Sequence, residues 1–238
     1  MQEKRKRDMK KIGLVGGTGP ESTIMYYKEL NSRIDTLTGG TAMPDIVIES
    51  VDFRRAWNYV SGAEYDKLAD YLSEKVERLK DSGAEVMALT AGTMHMVLPE
   101  IEQKTGVRLI SIPKAIRDHA LKCGYRKLGL LGTIFTMEQD YMKRDLTEAG
   151  IEVYVPARED RELVAKRILE ELELGIVLES TLAEFNTVIG KMKDSYGIEA
   201  VILGCTELPM LLNDDNCMLP CLDSVDIHIE RLIECARG

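Results

Sequence analysis

Short runs of aliphatic residues alternate with longer amphipathic segments along the whole chain. The runs are KKIGLVGG (10–17), PDIVIESV (44–51), AEVMALTA (84–91), VRLISI (107–112), RKLGLLGT (126–133), IEVYVP (151–156), IEAVILGC (198–205) and CMLPCLD (217–223). Each is short and mostly Ile, Leu and Val, the pattern of a strand buried on both faces. Between them, Glu64–Ser82 and Asp160–Leu174 carry helical spacing. The second sets Leu163, Arg167, Leu169 and Leu172 among charges, and Gly175 supplies a stop. Strands alternating with helices of this length imply βαβ crossovers, hence an α/β fold with mostly parallel sheets.

The pattern also repeats. KIGLVGGT (11–18) returns as KLGLLGT (127–133), 116 residues on, and GAEVMALTAGTMH (83–95) echoes in GIEAVILGCTEL (197–208) at an offset of 114. Two segments with nearly one offset predict two similar, pseudo-symmetric lobes, each a mostly parallel sheet flanked by helices. The expected division is a flexible basic tail over 1–9, lobe 1 over 10–105 and 215–238, and lobe 2 over 106–214. Ligands in open α/β sheets bind outside the carboxyl ends of the strands, so the active site is expected in the cleft between the lobes.

Charge narrows the function classes. The 238 residues hold 31 Lys+Arg against 40 Asp+Glu, a net charge of −9, which argues against nucleic-acid binding. No run approaches the ~20 apolar residues that span a bilayer. The basic start MQEKRKRD has no apolar signal core, and five cysteines, an odd number, read as reduced thiols of a cytoplasmic protein. His95, His119 and His228 have no metal-ligand spacing. Cys217 and Cys221 flank Met-Leu-Pro without a second pair or nearby His, so no metal site is expected.

Four strand-end loops carry the candidate chemistry. GGTGPEST (16–23) is glycine-rich and opens a helix, so its backbone N–H groups suit an anion. It half-matches the dinucleotide pattern G-x-G-x-x-G, but Pro20 and a missing third glycine weaken that reading. The repeat pairs Thr90–His95 with Gly204–Glu207 and sets Ala91 against Cys205. A cysteine at a strand end and helix start is expected to have a lowered thiol pKa, as a nucleophile or base requires; the bland alternative is a small buried packing residue. Gly132–Thr136 mirrors the first loop. Arg54 and Arg55 follow the second strand, either clamping a carboxylate or simply solvated. His95 either orients a carboxylate or loop or is structural.

These segments resemble the aspartate/glutamate/hydantoin racemase superfamily, and within it the aspartate and glutamate racemase branch. The similarity is carried by KKIGLVGGTGPEST, SVDF, the TMH of AGTMH, GLLGTIFTMEQDYMKRDL, VILGCTEL and PCLDSVDIH, in order from Lys10 to Ile233. The resemblance implies cofactor-independent proton transfer at an amino acid's α-carbon, with two thiols acting on opposite faces. It makes Cys205 the second-lobe catalytic cysteine, adjoined by Thr206 and Glu207, with His95 completing the candidate catalytic set. Gly16, Gly17, Thr18, Gly92, Thr93, Thr133 and Thr206 become candidate substrate contacts. Arg54, Arg55 and Lys166 become candidates for holding the side-chain carboxylate.

Three departures stand out. Ala91 replaces the first cysteine, Gly92 replaces an asparagine, and Glu162-Leu163 stand where a basic residue is expected, with Lys166 a turn later. Alanine transfers no proton, so either Thr90, Thr93, His95 or a water serves that face, or the face is dead. The expectation is a pyridoxal-independent racemase of aspartate or glutamate, slow or one-sided, forming a homodimer. The alternatives are a single-cysteine enzyme resembling arylmalonate decarboxylase and a silent dicarboxylate-binding relative.

Overall fold

The computed structural model describes residues 9–238; of the expected basic tail, residues 1–8 lie outside the described residues. The chain forms two compact units, one reaching Ser111 and regaining Ile229–Gly238, the other comprising Ile112–His228.

The first unit holds β1 (Ile12–Gly16), α1 (Pro20–Thr38), β2 (Ile46–Ser50), α2 (Phe53–Ser61), α3 (Tyr65–Asp81), β3 (Val86–Leu89), a 3-10 turn (Gly92–Val97), α4 (Leu98–Thr105) and β4 (Leu109–Ile110). The second holds α5 (Ile112–Cys123), β5 (Lys127–Leu131), α6 (Ile134–Glu138), α7 (Arg144–Glu148), β6 (Glu152–Tyr154), α8 (Arg158–Glu170), a 3-10 turn (Leu172–Leu174), α9 (Glu179–Tyr196), β7 (Ala200–Leu203), a 3-10 turn (Leu208–Met210) and β8 (Cys221–Asp223). α10 (Ser224–Arg237) begins in the second unit and ends in the first.

All eight aliphatic runs are strands, and every pairing is parallel. The sheet orders are β2-β1-β3-β4 and β6-β5-β7-β8, one topology built twice. The sequence repeat is its residue-level trace: Ile12 pairs with Val86 and Leu128 with Ala200, the same partners at offsets of 116 and 114. Ile12, Leu14, Leu128 and Leu130 are fully buried, as strands covered on both faces require. No described helix is long and apolar enough to cross a membrane.

The divisions lie later than the expected 105 and 215. β4 pairs with β3, which keeps residues 106–111 in the first unit, and β8 pairs with β7, which keeps residues 215–228 in the second. Hydrogen-bond partners decide these boundaries, and the aliphatic runs do not name their partners.

The face of α8 also differs from the spacing. Val164 and Ile168 are buried, whereas Leu169 is 63% exposed. The helix ends at Glu170, and Leu172 is buried from the following 3-10 turn, which Gly175 closes in the left-handed region. A polar brace ties the helix to its neighbours. Arg167 grips Glu184 of α9 through Nε and Nη2 (2.7 and 2.8 Å) and donates from Nη1 to Glu171 (2.6 Å), which Thr181 also contacts. Glu171 is buried. Arg167→Ala strips that carboxylate of its cation, so thermal denaturation followed by circular dichroism should show a lowered midpoint.

Candidate functional site

In the second unit β5 and β7 are neighbours in register, Leu131 beside Leu203, so their following loops leave the sheet together. Gly204 N–H donates to the Leu131 carbonyl at 2.8 Å. Thr133 caps α6 by accepting from Thr136 N–H (3.2 Å), and the Thr136 hydroxyl lies 3.0 Å from both Thr133 Oγ1 and the Tyr141 hydroxyl.

On the adjacent loop, the half-buried Cys205 thiol donates to Glu207 Oε2 at 2.7 Å, while Thr206 Oγ1 donates to Glu207 Oε1 at 2.7 Å. One carboxylate therefore holds both side chains. Burial pushes the Cys205 thiol well above the ordinary thiol range, and the negative charge and hydrogen bond of Glu207 push it further. This corrects the expected lowering by a helix start. No α-helix follows Cys205, only a three-residue 3-10 turn whose dipole is too short to offset burial beside an anion. Glu207→Gln removes the anion while keeping an acceptor, so iodoacetamide should alkylate Cys205 roughly threefold faster or more near neutral pH.

Glu173 was not among the sequence candidates. Its carboxyl is pushed up by burial and by Glu207, and its charge in turn reaches Cys205. It lies in the charged stretch Glu170–Leu174, which carries no motif, so only the folded chain sets it beside Glu207.

The first unit presents the matching strand ends without the thiol. β1 ends at Gly16, whose carbonyl accepts from Val51 N–H at 2.9 Å. Gly17 has φ +86°, its N–H donates to Thr23 Oγ1 at 2.9 Å, and a Cβ there would sit 2.5 Å from Ser50 Oγ and 2.7 Å from the Val51 carbonyl. Only glycine fits that turn. The 19-residue α1 starts without a side-chain cap at Gly19, and the buried Thr18 hydroxyl has no hydrogen-bond partner. Uncapped helix N–H groups beside an unsatisfied buried hydroxyl suit a carboxylate.

After β3, Ala91 is extended (φ −119°, ψ 131°) and half-buried at the start of the 3-10 turn. Thr90 Oγ1 donates to the Val15 carbonyl at 3.3 Å, and Ser22 Oγ donates to the Thr90 carbonyl at 2.7 Å. His95 is buried, with Nδ1 3.0 Å from the Ala91 carbonyl, so it braces this loop. Gly92 and Thr93 are half-buried on it.

The basic candidates are less concentrated. Arg54 and Arg55 start α2, where Asp52 Oδ1 caps their N–H groups (2.9 and 3.2 Å). Arg54 is exposed; Arg55 donates to the Tyr59 hydroxyl (3.1 Å) and lies over the Tyr71 ring, 4.2 Å from its centroid. Lys166 is exposed on α8, 3.8 Å from Glu170 one turn on. The structure therefore groups Cys205, Thr206 and Glu207 on one loop, with the Thr133 loop leaving the neighbouring strand. Gly16, Gly17, Thr18, Gly92, Thr93 and His95 follow two adjacent strands of the first unit, and Lys166 lies on a solvent-facing helix surface. Among the described residues no group of three or more metal-binding side chains converges.

The sequence profile of Asp/Glu/hydantoin racemases matches residues 15–232, both units and every loop described above. The chain belongs to that family. A candidate Asp/Glu racemase of solved structure from Yersinia pestis is 37% identical, with a TM-score of 0.92 over 97% of this chain and 100% of its own. An aspartate racemase homologue from Pyrococcus horikoshii OT3 is 36% identical, with a TM-score of 0.87 over the same shares. Glutamate racemase from Shewanella oneidensis is 27% identical over 145 residues, covering 60% of this chain and 50% of its own length. The chain thus spans about half of that relative. Two four-stranded parallel sheets flanked by helices match the family's two-lobed structures.

Proposed function

We propose that this family member is an amino-acid racemase of aspartate or glutamate, moving the α-proton through Cys205 without a cofactor. The observation that carries the reading is the Cys205–Glu207 pair. Proton transfer from Sγ to Oε2 leaves a thiolate and a carboxylic acid, with Thr206 positioning the other oxygen. The thiolate takes the α-proton; reversal delivers a proton to the carbanion from the same side. The uncapped start of α1, with Thr18, supports a place for the α-carboxylate, whose enediolate charge must be stabilised. Arg55, held by two tyrosines, supports a fixed cation for the second carboxylate.

Ala91 supplies no proton, so the reading is one-sided: fast exchange on one enantiomer, slow racemisation. In heavy water, deuterium should enter the α-position of one enantiomer of aspartate or glutamate ahead of inversion. No exchange with either enantiomer of either substrate sinks the reading. Because the free thiol is held protonated, the exchange rate should climb with pH past the usual thiol range of about 8.5 rather than level off below it.

The second reading is a decarboxylase in which the thiol only protonates a carbanion left by departing CO₂. It is favoured by the raised Cys205 pKa together with the inert Ala91. Release of CO₂ from disubstituted malonates, without amino-acid exchange, selects it. On either reading the protein is taken as a cytoplasmic homodimer, which light scattering on the purified protein tests for assembly.

A further inference from the structure

One buried tyrosine of the second unit turns its hydroxyl toward the Thr133 loop and has no part in the reaction above. Tyr141 follows α6 and is buried, its ring 6.1 Å from that of Phe135. Its hydroxyl lies 3.0 Å from Thr136 Oγ1, which in turn lies 3.0 Å from Thr133 Oγ1. Three hydroxyls thus form a line from the buried Tyr141 and Thr136 to the half-buried Thr133. Thr136 is held in that line by its methyl group. A Cβ at Gly132 would lie 2.9 Å from Thr136 Cγ2, and one at Gly204 would lie 3.1 Å from it. The methyl is therefore wedged between the residue before Thr133 and the residue before Cys205, in room that glycine leaves. With the methyl so placed, a staggered side chain keeps the hydroxyl toward Thr133 and Tyr141.

Each hydroxyl carries one hydrogen, so the line has two polarities. Running inward, Thr133 donates to Thr136 and has no hydrogen left for a ligand. Running outward, Tyr141 donates to Thr136 and Thr136 donates to Thr133, whose oxygen also accepts from Thr136 N–H (3.2 Å). Thr133 then receives two hydrogen bonds and keeps its own hydrogen to donate. An anion selects this second polarity, and each donor along a chain strengthens the next. The five-residue α6 has too short a dipole to hold an anion, so the contact is the hydroxyl itself.

We propose that Tyr141 and Thr136 are positioning residues, a buried hydroxyl relay that aims the Thr133 hydrogen at a carboxylate of the acidic amino acid. The identity of the ligand rests on the racemase reading. The relay rests on the hydroxyl line and on the wedged methyl that ties the Thr133 loop to the Cys205 loop. Neither residue is catalytic, since both act through Thr133.

The test measures calorimetric binding of both enantiomers of aspartate and of glutamate to the full chain, beside α-proton exchange in heavy water. Tyr141→Phe keeps the buried ring and removes the hydroxyl. It should weaken binding and raise KM for exchange roughly threefold to tenfold, with the rate at saturation little changed. Thr136→Val keeps the methyl, loses the hydroxyl and should do the same, whereas Thr136→Ser restores a hydroxyl and should bind close to wild type. In a Thr133→Val background, Tyr141→Phe should have no further effect; a purely structural role would add its loss in both backgrounds. The relay is overturned if Tyr141→Phe binds as wild type does, or if its loss persists in Thr133→Val. It is equally overturned if Thr136→Ser is as weak as Thr136→Val, or if the wild-type protein binds none of the four amino acids. The expected binding pattern in a protein that exchanges no proton sinks the racemase reading and keeps the relay. The two Thr136 variants decide the matter if Tyr141→Phe fails to fold.

Discussion

Cys205→Ala should abolish α-proton exchange. In heavy water, the rate of deuterium entry into the reactive enantiomer, followed by proton NMR, is expected to fall by about three orders of magnitude. The circular dichroism spectrum should stay unchanged. The physical reason is that in the proposed reaction Sγ takes the α-proton, with Glu207, its hydrogen-bond partner, as proton reservoir and Thr206 holding the other carboxylate oxygen. Alanine leaves the carboxylate without a relay. Its own fold cost is small, because one sulfur is lost from a half-buried position. Retention of exchange in this variant would move the chemistry to another group, with Glu173 the next carboxyl to test.

Ala91→Cys is expected to act in the opposite direction. Position 91 is extended, half-buried and the residue-for-residue counterpart of Cys205 in the repeat, so a cysteine fits its backbone without strain. On the family's two-thiol scheme it supplies the missing acid, and racemisation measured by polarimetry should rise by about 10²–10³-fold. The rate of one-sided deuterium entry should change far less. If inversion does not rise while exchange persists, the second face is served by something other than a residue at position 91, and the one-sided reading fails.

The strands show how legibility divides. KIGLVGG and KLGLLG are buried on both faces and must be continuous aliphatic runs, so their positions and their repetition stand in the linear sequence. The shared order of the two sheets follows from that repeat. Leu169 was harder to read. A leucine among charges suits either face of α8, and the phase follows Val164 and Ile168 packing into the aliphatic core, with Arg167 reaching Glu184 of α9, 17 residues on, a partner that periodicity does not name. The Gly-Cys-Thr-Glu loop was readable as a reactive motif, but its electrostatics were not. Helix-start logic predicted a lowered thiol, whereas only a short 3-10 turn follows, and burial and a carboxylate 2.7 Å away raise it.

The sequence by itself determined the α/β class, the twofold repetition, the family and the loop that carries Cys205, because those rest on local pattern and on short motifs. The tertiary structure decided which strand pairs with which, and so that residues 106–111 and 215–228 belong to units other than the run of the chain suggested. It also decided that Glu173 stands beside Glu207, that Thr18 is buried without a partner, and that Cys205 is kept protonated. Proton affinity and hydrogen-bond satisfaction depend on what surrounds an atom in three dimensions, and neighbours remote in sequence supply most of that surrounding.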